Sequence, residues 1–208
     1  MRVWGSIFAA LYDRVMAATE EAGLAEHRQR LLAIAAGRVL EIGGGTGANL
    51  PFFGKGVTEL VIAEPEAPMA RRLQRKLAGY RIPTRVVRVP AEQLPFDAES
   101  FDDVVCTLVL CTVADPVRAL SEVRRVLKPQ GRLLLIEHVR SEDPRLAGWQ
   151  DRLRRPWSWF GCGCQCNRAT VESLRAGGFS VAELRREMLP KAPAIVRPLV
   201  VGAAARAR

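Results

Sequence analysis

Apolar residues recur at helical spacing through residues 3–21, where Trp4, Ile7, Phe8, Leu11, Val15 and Met16 share one face. The same period predicts a second helix over residues 25–35, stopped by Gly37. Residues 38–42 (RVLEI) then read as a short buried strand running into a glycine-rich turn. Beyond it the two periods alternate. Strands are predicted at 60–63, 84–89, 101–107 and 132–137, with helices at 66–78 and 116–127. This alternation implies an α/β fold: βαβ units and a mostly parallel sheet with helices on both faces.

The last quarter changes rhythm. Residues 143–160 are rich in Trp and Arg, are broken by Pro156, and read as an insertion after a strand. A helix at 168–176 ends on Gly177-Gly178, and strands follow at 181–188 and 196–204. The connection between those strands is too short for a crossover helix, so they are expected to be antiparallel.

Composition narrows the class. A chain of 208 residues fits one domain, and 49% hydrophobic with 25% charged residues is a globular balance. No apolar run reaches the roughly 20 residues of a membrane span, and Asp13 and Glu20 interrupt the N-terminal segment, so neither a signal peptide nor a spanning helix is expected. Five cysteines do not form a secreted disulfide framework, which favours the cytoplasm. The net charge is +9, but 27 of the 31 basic residues are arginines spread along the whole chain. Without basic–aromatic alternation this reads as a solvated surface, and no nucleic acid partner is expected. The amphipathic first helix and the positive charge keep a weak membrane-surface contact open.

The chemistry begins at Glu41-Ile42-Gly43-Gly44-Gly45-Thr46-Gly47-Ala48-Asn49. Glycines after a first strand let a ligand approach the backbone, and Thr46 and Asn49 are good helix-opening residues. Gly43, Gly45 and Ala48 even meet the dinucleotide fingerprint. Glu41 argues otherwise: a pyrophosphate would not welcome its carboxylate, whereas the ammonium of an amino acid group would. Glu64 ends the second strand 21 residues after Gly43, where an acid accepts both ribose hydroxyls. Ala91-Glu92-Gln93-Leu94-Pro95-Phe96 follows the third strand.

Taken together, E-x-G-G-G-T-G, the acid ending strand two, A-E-x-L-P-F, F-D-x-V-V and R-V-L-K-P-x-G resemble a class I S-adenosylmethionine-dependent methyltransferase of the small-molecule branch, over residues 38–138. The resemblance implies a Rossmann-like fold with seven strands, an antiparallel C-terminal pair and S-adenosylmethionine as cofactor. Glu41, Gly43, Gly44, Gly45, Thr46, Gly47 and Asn49 would then carry the methionine part, and Glu64, followed by Pro65, the ribose. Met69, Ala91 and Glu92 would border the adenine, while Thr107 and Leu108 would pass beneath the sulfonium. The family's usual Asp before the Ala-Glu pair is replaced here by Pro90, which leaves adenine recognition to backbone groups or Glu92.

A narrower resemblance joins residues 104–113, Ile136-Glu137-His138-Val139, Gly163-Cys164, Asn167-Arg168 and Val196-Arg197-Pro198 to the membrane-associated alkyl thiol methyltransferases of animals. It implies S-methylation of a small thiol, with phenol or quinol, amine and phospholipid headgroup as the alternative acceptors. Their N-terminal hydrophobic anchor has no counterpart, which suggests a soluble relative. One domain is expected over 1–208: N-terminal helices or lid at 1–36, cofactor core at 37–138, an insertion near the acceptor at 139–166, and a helix with antiparallel strands at 167–208.

Candidate catalytic residues are few. His138, at the end of strand five, is either a base or a structural histidine; Cys111 is either substrate-facing or a small buried hydrophobe. Phe8 and Tyr12 from the first helix, with Cys164 and Asn167 from the Gly161–Asn167 loop, would border the acceptor, and Asn167 would cap the next helix. The C-x-C-x-C run of Cys162, Cys164 and Cys166 matches zinc spacing poorly, so no metal is expected.

Overall fold

The computed structural model describes residues 2–207, with side chains from Leu11 onward. Strands β1 (Gly37–Ile42), β2 (Val57–Ala63), β3 (Thr84–Val87), β4 (Phe101–Thr107) and β5 (Leu127–His138) form the parallel part of one sheet. β8 (Pro198–Arg206) runs antiparallel along β5, from Arg132↔Ala205 to His138↔Leu199. β6 (Phe179–Ser180) and β7 (Arg185–Met188) both pair with β8, and the spatial order is β3-β2-β1-β4-β5-β8-β6.

The expected antiparallel ending is therefore present, but only 185–188 of the strand predicted at 181–188 forms, and the separate two-residue β6 precedes it. Leu184 N–H donates to Val181 O at 3.2 Å in the turn between them. Opposite the break lies Gly202, whose φ is +147°, and a Cβ there would stand 2.4 Å from Glu183 O. The two segments approach closely there and the ladder is interrupted between β6 and β7, giving eight strands where seven were expected.

The first helix, α1 (Arg2–Thr19), joins α2 (Ala25–Leu32) through a π-helical turn at Glu20–Leu24, kinked at Gly23. The remaining helices are α3 (Ala67–Lys76), α4 (Pro116–Val126), α5 (Pro144–Phe160) and α6 (Thr170–Ala176). Asp115 opens α4 by accepting from Val117 N and Arg118 N, both at 3.0 Å, with Pro116 in the first turn. Pro156 does not break the predicted insertion, because α5 runs through it unbroken. Residues 151–156 are all exposed, so water can take the carbonyl bond that the proline ring forfeits.

Alternate strand residues feed two cores. Leu60, Ile62, Val105, Leu134 and Ile136 pack with Leu24, Leu32 and Phe53 on one side of the sheet. Val61, Val104, Leu133 and Leu135 pack with Leu120, Val123 and Leu174 on the other. Strand order reverses between β1 and β4, whose carboxyl ends meet the glycine loop, the usual place for a ligand in an open α/β sheet.

Candidate cofactor and acceptor site

The glycine loop packs closely against β2, where a Cβ on Gly44 would stand 2.2 Å from Ile62 Cγ2. Gly43 has φ +65°, and a Cβ on it would stand 2.4 Å from Val109 Cγ2, so only glycine fits the turn out of β1. No α-helix follows, contrary to the sequence reading. Pro51 sits in a single 3-10 turn, Leu50–Phe52, Phe53 is already extended, and Asn49 makes no capping bond. Gly54 and Gly56 lie just beyond, too close for a helix to propagate.

Glu64 pins the loop to the end of β2. Its Oε2 accepts from Gly45 N at 2.7 Å and its Oε1 from Glu66 N at 2.8 Å. Burial nevertheless raises its pKa, against the pull of those two bonds. Each oxygen keeps acceptor capacity for a further donor. Pro65 is exposed and Met69 half-buried beside it, and Ala91 is buried. Glu92 Oε1 is already engaged by the N–H groups of Ala114 at 2.8 Å and Asp115 at 3.1 Å, which ties its loop to the start of α4.

Asn49 is freed from capping to join a buried polar cluster. Its Nδ2 donates to Glu41 Oε1 and to Thr107 Oγ1, both at 2.8 Å, and its Oδ1 accepts from Arg28 Nη1 at 2.6 Å. Arg28 Nη1 also reaches Thr107 Oγ1 at 3.2 Å, and Arg28 Nη2 pairs with Glu20 Oε1 at 3.0 Å. Arg28 is 3% exposed. Burial pushes the Glu41 carboxyl up to about 7, and its Oε2 is buried without a partner among the described residues. An orphaned carboxylate oxygen beside a glycine loop fits a cationic donor such as an ammonium group.

Motif spacing alone does not point to Arg28. A signal existed: it lies four residues after Leu24 and four before Leu32, on the face that α2 and the preceding turn bury. An arginine on an apolar face needs partners there.

Tyr12, Arg28, Glu41, Gly43, Asn49 and Thr107 are among the residues around a cavity of ≈ 30 Å³, room for a water molecule or two. Above it Thr46 Oγ1 donates to Asp13 Oδ1 at 2.5 Å, and Lys76 Nζ pairs with Asp13 Oδ2 at 3.1 Å. α1 thus lies across the loop, and desolvation pushes the Tyr12 phenol up to about 12. Phe8, Trp4 and Ile7, also proposed for this helix, have side chains outside the described residues.

Beyond the cavity, Glu137 organises the turn after β4. Its Oε1 accepts from Val109 N at 2.7 Å and Leu110 N at 2.8 Å, and its Oε2 from Cys111 N at 3.3 Å. The preceding Leu108 has φ +59°. Burial lifts the Glu137 carboxyl to about 7 despite these bonds. The Gly161–Asn167 loop docks on this turn: Gln165 N donates to Cys111 O at 2.8 Å, and Arg168 Nη1 to Leu110 O at 2.9 Å. Cys111 and Cys164 hydrogen-bond through their thiols, which raises the first pKa and lowers the second.

Asn167 does not cap α6; its Nδ2 donates to Asp151 Oδ1 at 2.9 Å, and Ala169 stands at the helix start. His138 is buried beside Val196, burial lowers it to about 4, and its Nδ1 has no partner among the described residues. It is not among the residues around the Glu41 cavity. Among the described residues no three His, Cys, Asp or Glu side chains gather as a metal site, and no helix is long and apolar enough to cross a membrane.

Residues 40–135 match the family model described as a methyltransferase domain. The chain is 36% identical over 178 residues to the thiol S-methyltransferase TMT1B of Homo sapiens, covering 83% of this chain and 72% of that protein. It is 35% identical over 172 residues to the human thiol S-methyltransferase TMT1A, covering 81% and 70%. A crystal structure from Thermotoga maritima, described as a SAM-dependent methyltransferase and possible histamine N-methyltransferase, superposes with a TM-score of 0.74. It is 23% identical and covers 99% of this chain and 100% of that one.

Proposed function

Because the chain belongs to the methyltransferase domain family and takes its methyl group from S-adenosylmethionine, we propose that it methylates the sulfur of a small thiol in the cytoplasm. The observation carrying the acceptor is the 36% identity to a thiol S-methyltransferase over most of both chains. The site's chemistry agrees with it. A histidine lowered to about 4 is a poor proton acceptor at neutral pH. A thiol, with a reference pKa of about 8.5, is already partly thiolate there and needs no strong base.

In this reading Glu41 receives the ammonium of the methionine part, and Gly43, Gly44, Gly45, Thr46, Gly47 and Asn49 shape its bed. Glu64 accepts the ribose hydroxyls with the oxygen capacity its two backbone bonds leave. Pro65, Met69, Ala91 and Glu92 border the adenine. When bound, the cofactor supplies an electrophilic methyl group on sulfur. Thr107 and Leu108 position that sulfur, and α1, with Tyr12, shuts out water. Alignment and dryness account for most of the help such an in-line displacement needs. Cys111, Cys164 and Asn167 belong to the wall on the acceptor side, and His138 stiffens it as a neutral ring.

The test is a labelled-methyl screen of alkyl and aryl thiols against amines, phenols, quinols and phospholipids. Thiol products should dominate, with rates rising toward each thiol's own pKa. Turnover of an amine, phenol or lipid with no product from any thiol sinks the acceptor assignment.

A further inference from the structure

We propose that Arg28 is the receptor for the α-carboxylate of the cofactor's methionine part, so that Arg28 and Glu41 together clamp its two opposite charges. The inference rests on the cofactor reading above and extends it to a residue outside the glycine loop.

A guanidinium offers five N–H donors in a planar fork. Nε is taken by Glu20, at 3.1 and 3.2 Å to its two oxygens, and one Nη2 donor by Glu20 Oε1 at 3.0 Å. Nη1 serves Asn49 Oδ1 at 2.6 Å and Thr107 Oγ1 at 3.2 Å. One Nη2 donor remains without an acceptor among the described residues, on a side chain that helps surround the cavity shared with Glu41. Glu41 Oε2 is the unpartnered acceptor of the same cavity. One spare cationic donor and one spare anionic acceptor complement an amino acid zwitterion, and binding it leaves the net charge of the pocket unchanged.

The fork also explains why arginine stands here. A lysine ammonium could not hold Glu20, Asn49 and Thr107 in fixed directions while facing a ligand. Asn49 and Thr107 are themselves in contact with the loop and β4 elements assigned to the methionine part, so Arg28 is braced by the groups that would flank its ligand.

Calorimetry on the full chain with three probes tests this. S-adenosylmethionine carries both charges, its decarboxylated analogue keeps the ammonium and sulfonium only, and 5′-methylthioadenosine lacks the amino acid part. The parent should prefer S-adenosylmethionine over the decarboxylated analogue by about tenfold or more, the worth of a charge-assisted hydrogen bond. Arg28→Gln should erase that preference while leaving affinity for 5′-methylthioadenosine within about twofold. If Arg28→Gln does not fold, Arg28→Lys serves the same comparison, with the preference reduced. An equal loss for all three probes, or a preference left undiminished by the substitution, overturns the proposal and makes Arg28 a purely structural brace. A parent that binds 5′-methylthioadenosine but does not discriminate between the other two also overturns it, with the cofactor assignment intact. A parent that binds none of the three overturns both.

Discussion

Glu137→Ala is expected to lower the unfolding free energy by about 3 kcal/mol or more, because it strands three donors at once. Val109 N, Leu110 N and Cys111 N all end on this carboxylate, which is fully buried. Each buried N–H left without an acceptor costs about 1–3 kcal/mol, and water can relieve only part of that. At about 2–4 °C per kcal/mol for a domain of this size, the melting temperature should fall by about 6 °C or more. Thermal unfolding followed by circular dichroism reads this directly, and a shift of under about 2 °C would mean the turn is held by the Arg168 and Gln165 bonds instead. The sign of the pH dependence follows from the raised pKa. The folded protein binds this proton more tightly than the unfolded chain does. The stabilisation from holding it is complete below the unfolded value near 4.5 and is lost as pH rises through about 7. The gap in melting temperature between parent and Glu137→Ala should therefore be wider at pH 5 than at pH 8.

Glu41 governs the second large effect. With its carboxyl near 7 in the free protein, a ligand ammonium must find it ionised. Most of the population is ionised at pH 7.5 and only a few per cent at pH 5.5, so S-adenosylhomocysteine affinity should fall by about tenfold or more across that interval. Glu41→Gln should bind about 10-fold to 100-fold more weakly at pH 7.5 and show a flat profile below it. Titrations at several pH values check both. A parent profile as flat as the variant's would remove Glu41 from the ammonium's side.

Glu41 and Glu64 are legible in the sequence because each lies within a few residues of a strand end whose position the glycines betray. Their partners are less so. Asn49 is picked out as a helix-opening residue, yet Pro51 and the following glycines leave it no helix, and its amide turns inward to Glu41, Thr107 and Arg28. Arg28 and Glu137 are missed because what they do is long-range: one reaches 79 residues along the chain to Thr107, the other 28 back to Val109. Local spacing carries no record of such contacts. The antiparallel ending was readable from a short connection, but its split into two pieces was not, since that depends on how closely Gly202 approaches Glu183. His138 shows a further limit: a strand-end position says where the ring stands but not how it titrates, which burial beside Val196 decides.

α1 is tied to the glycine loop and α3 partly through exposed charge. Of the groups that tether it to the loop and α3, the Asp13 and Lys76 side chains are 52% and 45% exposed, and an ion pair so wetted contributes about 0–1 kcal/mol. The turn that follows, Glu20–Leu24, is π-helical with Gly23 at φ +138°, a joint that can flex without tearing regular helix. Should α1 pivot at that joint, the raised form would be the one open to a ligand. With only ≈ 30 Å³ around Glu41 and Arg28, the abundance of such a form would scale the apparent affinity of whatever amino acid group binds beneath the helix.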